Sequence, residues 1–216
     1  MRASRAWLLA ALLAASSAAA VTQGQQDDFT SSADGWARGD AVLGGPGGAS
    51  DGYLEVTSLG GSGQNSRLVT FNQLQWAGDY LDAGVESIGV FLDNRGATAL
   101  QIQLAFGDMI APIVGGTWYA TNPVALPAGS GWTFVVFPIG SGDLQRVQGT
   151  ATYDDLMANV VTLRLLHGDV PQAMGDPIVA KLGIDQIVAM PEPGANALLA
   201  SGIAALVACA RRRGRA

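Results

Sequence analysis

Between residues 27 and 189 the apolar positions recur in short runs, broken every ten residues or so by glycine, asparagine and aspartate. This spacing predicts many short strands joined by turns, the pattern of an all-β sandwich or barrel. Candidate strands cover 52–57, 66–71, 85–93, 100–106, 117–119, 132–139, 161–167 and 182–189. In Leu100-Gln101-Ile102-Gln103-Leu104 the aliphatic side chains alternate with glutamines, which predicts an antiparallel strand with one face in the core. Phe134-Val135-Val136-Phe137 is apolar on both faces and is expected at a central position. Asp93-Asn94-Arg95-Gly96 carries a hairpin signal, with Gly96 suited to positive φ. The glycine-rich stretch 44–52 reads as flexible connection. One segment departs from the β pattern: Thr152 offers an N-cap with Asp155 three residues on, and the apolar spacing over 152–159 predicts a helical turn or two.

The two ends follow a different logic. Arg2 and Arg5 precede the apolar run 6–15, and Ala18-Ala19-Ala20 supplies the small residues that a signal peptidase requires. A signal helix over 1–20, with Ala18 and Ala20 framing a cut after Ala20, is the expectation. At the other end Pro191-Glu192-Pro193 leads into an apolar run, 195–210, and then Arg211-Arg212-Arg213-Gly214-Arg215. The prolines keep the chain extended, the run partitions into lipid as a transmembrane helix, and the arginines stay on the cytoplasmic side as an anchor. Sixteen residues rise about 24 Å as a helix, less than the roughly 30 Å hydrocarbon core. The span is marginal, which suits a temporary anchor. The organisation is therefore a signal peptide (1–20), a β-sandwich ectodomain (21–189) and a sorting segment (190–216).

Removing both ends changes the charge. Of 12 lysines and arginines, six lie in the terminal segments, while all 18 acidic residues lie between Asp27 and Glu192. Six basic against eighteen acidic side chains leave a net charge of −12 over 21–194. Such a domain is a poor partner for nucleic acid, because it lacks the cations to neutralise phosphates. The only cysteine, Cys209, lies in the terminal apolar run, so no intrachain disulfide forms and the fold must rely on its core. A chain of about 170 residues is long enough for that.

Two resemblances add to this reading. The terminal order of Pro191-Glu192-Pro193, apolar span and arginines resembles the PEP-CTERM sorting family. That resemblance implies transient residence in the inner membrane with the C-terminus cytoplasmic, removal of the tail by an exosortase, and delivery to the cell surface or extracellular matrix beside exopolysaccharide. A plain C-terminal anchor that is never cut is the alternative. In the ectodomain, Asp27-Asp28-Phe29, Asp34-Gly35-Trp36, Gly52-Tyr53-Leu54 and the closing Gly183-Ile184-Asp185-Gln186-Ile187 are similar to jelly-roll carbohydrate-binding modules and related galactose-binding-like sandwiches. Such families often have Asn where this chain has Gln186. The implied fold is a jelly-roll-like antiparallel β-sandwich.

Candidate chemistry is sparse. Sugar binding needs flat aromatic faces and a few planar polar groups; Trp36, Tyr53, Trp76, Tyr80, Trp118 and Tyr119 are the stock, with core or rim packing the alternative for each. Trp118 and Tyr119 point to opposite faces of one strand, so one of them is expected to be exposed. Trp132 opens an apolar strand and is expected in the core. First and last strands lying side by side would bring Asp27 or Asp28 to Asp185 and could seat a structural calcium, whose six to eight oxygen ligands would include backbone carbonyls. Solvated edge aspartates are the alternative. Catalysis finds little support. His167 is the only histidine, there is no Gly-x-Ser-x-Gly or His-Glu-x-x-His, and a glycosidase needs two carboxylates facing one bond. The leading expectation is a non-enzymatic surface or matrix protein without a cofactor, with a polysaccharide-binding module as the second reading and an aspartate-based hydrolase as the third.

Overall fold

A computed structural model describes residues 20–43, 52–63 and 65–191. The signal segment up to residue 19, most of the glycine-rich stretch, and the tail from Glu192 through the transmembrane run and the arginines lie outside the described residues. In chain order the elements are β1 (Gln26–Asp27), β2 (Trp36–Ala37), β3 (Asp40–Leu43), β4 (Gly52–Leu59), β5 (Val69–Asn72), β6 (Ser87–Asn94), β7 (Leu100–Gly107), β8 (Trp118–Thr121), β9 (Val124–Leu126), β10 (Thr133–Pro138), β11 (Leu144–Gln148), α1 (Tyr153–Met157), β12 (Thr162–His167) and β13 (Val179–Met190). Among the described residues no helix is long and apolar enough to cross a membrane.

The strands form two antiparallel sheets. One has six strands in the order β10-β6-β13-β4-β3, with β1 also on β13; the other has seven, β11-β8-β7-β12-β5-β2, with β9 also on β7. Alternation decides which side chains meet between them. Leu54, Val56, Ile88, Val90, Leu92, Leu182 and Ile184 face Leu100, Ile102, Leu104, Phe106, Leu163 and Leu165 across one continuous core. A buried Leu or Ile contributes on the order of 1.5–3 kcal/mol, so this layer carries most of the stability that a disulfide-free domain needs.

Two expectations about strands are corrected. β10 lies at the edge of its sheet, with Phe134 45% and Val136 37% exposed. Its second apolar face rests on Phe91 and Gly89 at the outer surface, not in a second core. Asp93-Asn94-Arg95-Gly96 does not make a hairpin, because β6 and β7 belong to different sheets and Gly96 is not among the glycines with positive φ. The segment crosses between layers. There Asn94 Nδ2 donates to Thr98 O (2.8 Å) and Leu126 O (3.1 Å), holding the crossing in place. The helix forms where expected, with a full capping box between Thr152 and Asp155.

The last strand organises its sheet. β13 pairs with β4 through residues 179–184, shifts register between Asp185 and Val188, and then pairs with β1, matching Gln26 with Val188 and Asp27 with Ile187. The break is made by Gln186 at φ +46. Few non-glycine residues take this conformation, and Asn tolerates it best. First and last strands therefore do lie side by side.

Candidate functional site: an arginine-lined groove

The sequence of β12, Thr-Leu-Arg-Leu-Leu-His, sends Leu163 and Leu165 into the core and Arg164 to the outer face of the seven-stranded sheet. Its direct neighbours across the ladder are Phe71 of β5 and Ala105 of β7, and Ala105 is paired in turn with Ala120 of β8. Two adjacent alanines keep the floor low. Two pairs further along, on the same face, Trp118 lies against Gly107, where a Cβ would sit 2.5 Å from the indole ring. The Arg164 guanidinium is held between two aromatic rings, 5.5 Å from the Phe71 centroid and 5.1 Å from that of Trp118.

Two loops build the walls. Residues 108–117 are drawn over the sheet by Thr162 Oγ1 donating to Met109 O (2.9 Å) and Gln73 Nε2 donating to Ile110 O (2.9 Å). Residues 168–176 are held by Gln103, whose Nε2 donates to Gly168 O (3.1 Å) and Val170 O (2.9 Å), while its Oε1 accepts from the Gln172 amide. Arg164 Nη1 donates to Ala173 O at 3.0 Å. Beside the 108–117 loop a depression of about 430 Å³ is lined by Arg38, Asn65, Phe71, Ile110, Ala111 and Arg164. A neighbouring one of about 390 Å³ is lined by Arg38, Gly63, Ser66 and Arg67. A third, with Arg38 at its margin, reaches Asp40 and Glu55.

The electrostatics of the groove are unusual for so acidic a domain. Arg164 is 8% exposed, and burial, together with the like charge of Arg38, pulls its guanidinium down to about 10, so that it remains a cation at neutral pH. Its Nε, like Trp118 Nε1, is buried without a hydrogen-bond partner among the described residues. The ion pairs among those residues are Arg95 with Glu55 and Asp93, and Lys181 with Glu55, all on the other sheet. Arg38, Arg67 and Arg164 have no carboxylate partner there. Arg38 Nη2 contacts Asn65 Oδ1 at 3.4 Å, and Arg67 Nε donates to Gly175 O at 2.8 Å.

The aromatic residues singled out from the sequence are all buried. Trp36 and Trp76 lie in the core and donate their indole N–H groups to Asp27 Oδ2 at 2.7 and 2.6 Å. Tyr80 is fully buried and donates to Trp76 O. Trp118 and Tyr119 do point to opposite faces, but neither is exposed: Trp118 packs with Ala105, Leu166 and Ala173 beside the Arg164 guanidinium, and Tyr119 faces the core with its hydroxyl on Ala151 O. Tyr53 is covered on the outer face of the six-stranded sheet by Trp132, 5.6 Å between centroids, and by the Arg95 guanidinium. Trp132 is half-exposed rather than in the core. Phe71 and Arg164, which line the groove, were not picked out. The available signal was a single arginine set among leucines in an apolar strand.

The acidic candidates are occupied in other ways. Besides the two indoles, Asp27 Oδ2 accepts from Gln75 Nε2 at 3.0 Å, leaving that oxygen no lone pair for a cation. Asp28 Oδ1 accepts from the Thr30 amide and hydroxyl, and Asp185 Oδ1 from the Gln186 amide. Among the described residues no three His, Cys, Asp or Glu side chains gather to hold a metal ion. Asp79 caps a turn through the amides of Leu81 and Asp82, Asp155 caps α1, and buried His167 accepts the Gln101 amide at Nδ1.

No protein-family model matches the chain. No curated protein matches it either. Among solved structures it is similar to the family 11 carbohydrate-binding module from Clostridium thermocellum in complex with a β-1,3-1,4-mixed-linked tetrasaccharide, with a TM-score of 0.52 and 15% identity over 79% of this chain and 97% of that one. It is also similar to an exo-β-agarase, with a TM-score of 0.51 and 16% identity over 80% of this chain and 26% of the agarase. Likeness at this identity is a likeness of fold: the described chain is a two-sheet antiparallel jelly-roll sandwich of the kind seen in carbohydrate-binding modules.

Proposed function

We propose that the sandwich is a non-catalytic module that binds a segment of polysaccharide in the groove over Phe71 and Arg164. The observation that carries this reading is the groove's composition. It offers a half-buried aromatic ring, Phe71, for the apolar face of a sugar, and beside it the guanidiniums of Arg38 and Arg164 and the carboxamide of Asn65. Guanidinium N–H groups suit ring hydroxyls and carboxylates. Hydrolysis calls for two carboxylates flanking one glycosidic bond, and none lines the 430 Å³ depression. A glycan array probed with the purified protein and with Phe71→Ala tests the reading. Binding to at least one polysaccharide, reduced tenfold or more in the variant, is expected. Silence across the array, or binding indifferent to Phe71, overturns it.

A second reading concerns place. We infer that the protein is exported, held at the inner membrane by its PEP-CTERM-like tail, and released by an exosortase to the surface or matrix beside exopolysaccharide. The sequence of the two ends supports this. Mass spectrometry of the mature protein is the test. An intact peptide ending at Ala216 in cells that possess an exosortase refutes processing.

A further inference from the structure

We propose that the groove selects acidic polysaccharide, its ligand carrying carboxylate groups on the sugar rings, with Arg164 and Arg38 as the receiving side chains. This rests on the glycan-binding reading and specifies its substrate class.

The argument starts from how few cations the domain has. Between Val21 and Gly194 there are six basic side chains against eighteen acidic ones. Chance would scatter those six among carboxylates. Two of them, Arg95 and Lys181, are indeed neutralised by Glu55 and Asp93 on the six-stranded sheet. The other four have no carboxylate partner among the described residues: Arg146 donates to the Thr150 and Ala151 carbonyls, while Arg38, Arg67 and Arg164 line two adjoining depressions of the opposite sheet. Arg38 and Arg164 line the same depression, and the like charge of Arg38 disfavours the charged form of Arg164.

A neutral sugar would leave that repulsion in place. A carboxylate between the two guanidiniums relieves it, and meets the planar fork in the geometry where two parallel N–H···O bonds form at once. The remaining features fit a sugar acid rather than a bare anion. Phe71 and Ile110 supply apolar walls for the ring, and Asn65 supplies a carboxamide for a hydroxyl.

The test compares one polysaccharide in two forms. Isothermal titration of the full purified protein with an alginate or polygalacturonate oligomer, and with the same oligomer after reduction of its carboxylates to primary alcohols, should show affinity falling at least tenfold on reduction. Arg164→Gln should weaken binding to the acidic form at least fivefold while barely changing any binding to the reduced one. Because Arg164 is buried and its variant can lose folding, Arg38→Gln at the rim is measured beside it and should act in the same direction. Equal or better binding of the reduced oligomer, or of mixed-linkage glucan and xylan over the acidic ones, overturns the inference and leaves the glycan-binding reading standing. Binding to neither class overturns both. Acidic binding that survives both arginine variants in folded protein assigns the interaction to another surface and overturns the inference.

Discussion

Asp27 shows how one side chain can redirect several others. Its carboxylate oxygen gathers two indole N–H groups and a carboxamide, so the tryptophans that looked available for ligand are spent on the junction between first and last strands. Asp27→Ala leaves two buried indole donors without an acceptor and should lower unfolding free energy by about 2–5 kcal/mol, read from chemical denaturation. Asp27→Asn keeps an acceptor and should cost less. The two also separate by pH. Burial raises the Asp27 carboxyl above its ordinary 3.8, outweighing the hydrogen bonds from Trp76, Trp36 and Gln75. A carboxyl raised in the folded state contributes stability that is present below its unfolded value and lost as pH rises through its folded one. The urea midpoint of Asp27→Asn relative to the parent should therefore climb as pH rises from about 3.8, then level off once the folded carboxyl is ionised. At Gln186, held at φ +46, Asn should relieve backbone strain and raise stability by roughly 0.5–1 kcal/mol, measured by thermal unfolding.

At the level of elements, the capping box of α1 offers a contained perturbation. Thr152→Ala removes the side chain that accepts from the Asp155 amide, and a lost N-cap costs about 0.5–2 kcal/mol. Thermal unfolding should register this with the groove's ligand binding unchanged. The same scale shows why some of the fold could be read from sequence and some could not. β4, β6, β7 and β12 are long enough for alternation to declare itself, and their aliphatic positions are the ones that meet in the core. β1, β2, β3, β9 and β11 are two to five residues long, and their extended conformation comes from the partner strand rather than from their own pattern. β10 misleads because a doubly apolar strand looks the same whether its second face meets another layer or, as here, a phenylalanine on the outer surface. The groove was hidden for a related reason. A strand arginine reads as solvent-facing until loops 108–117 and 168–176, with no periodicity of their own, fold over it.

The whole molecule sets conditions for what the groove does. The net charge of −12 over residues 21–194 opposes the approach of any polyanion, while the arginines attract it only at close range. Salt shortens the reach of these fields from about 30 Å at 0.01 M to about 10 Å at 0.1 M. If the groove takes acidic glycan, its association rate should rise a few-fold between those concentrations as long-range repulsion is screened, with dissociation accelerating in parallel; biolayer interferometry separates the two. A rate that falls steadily from the lowest salt would contradict this account of the field. The hydrogen-bonded neighbours Gly24 and Ala189 carry a different consequence. A domain whose ends meet can be spliced into a surface loop of an unrelated host, or have those ends joined and be reopened at an exposed turn, without prising its sheets apart. The fold is thus a cassette, able to travel between proteins of different architecture with its groove intact.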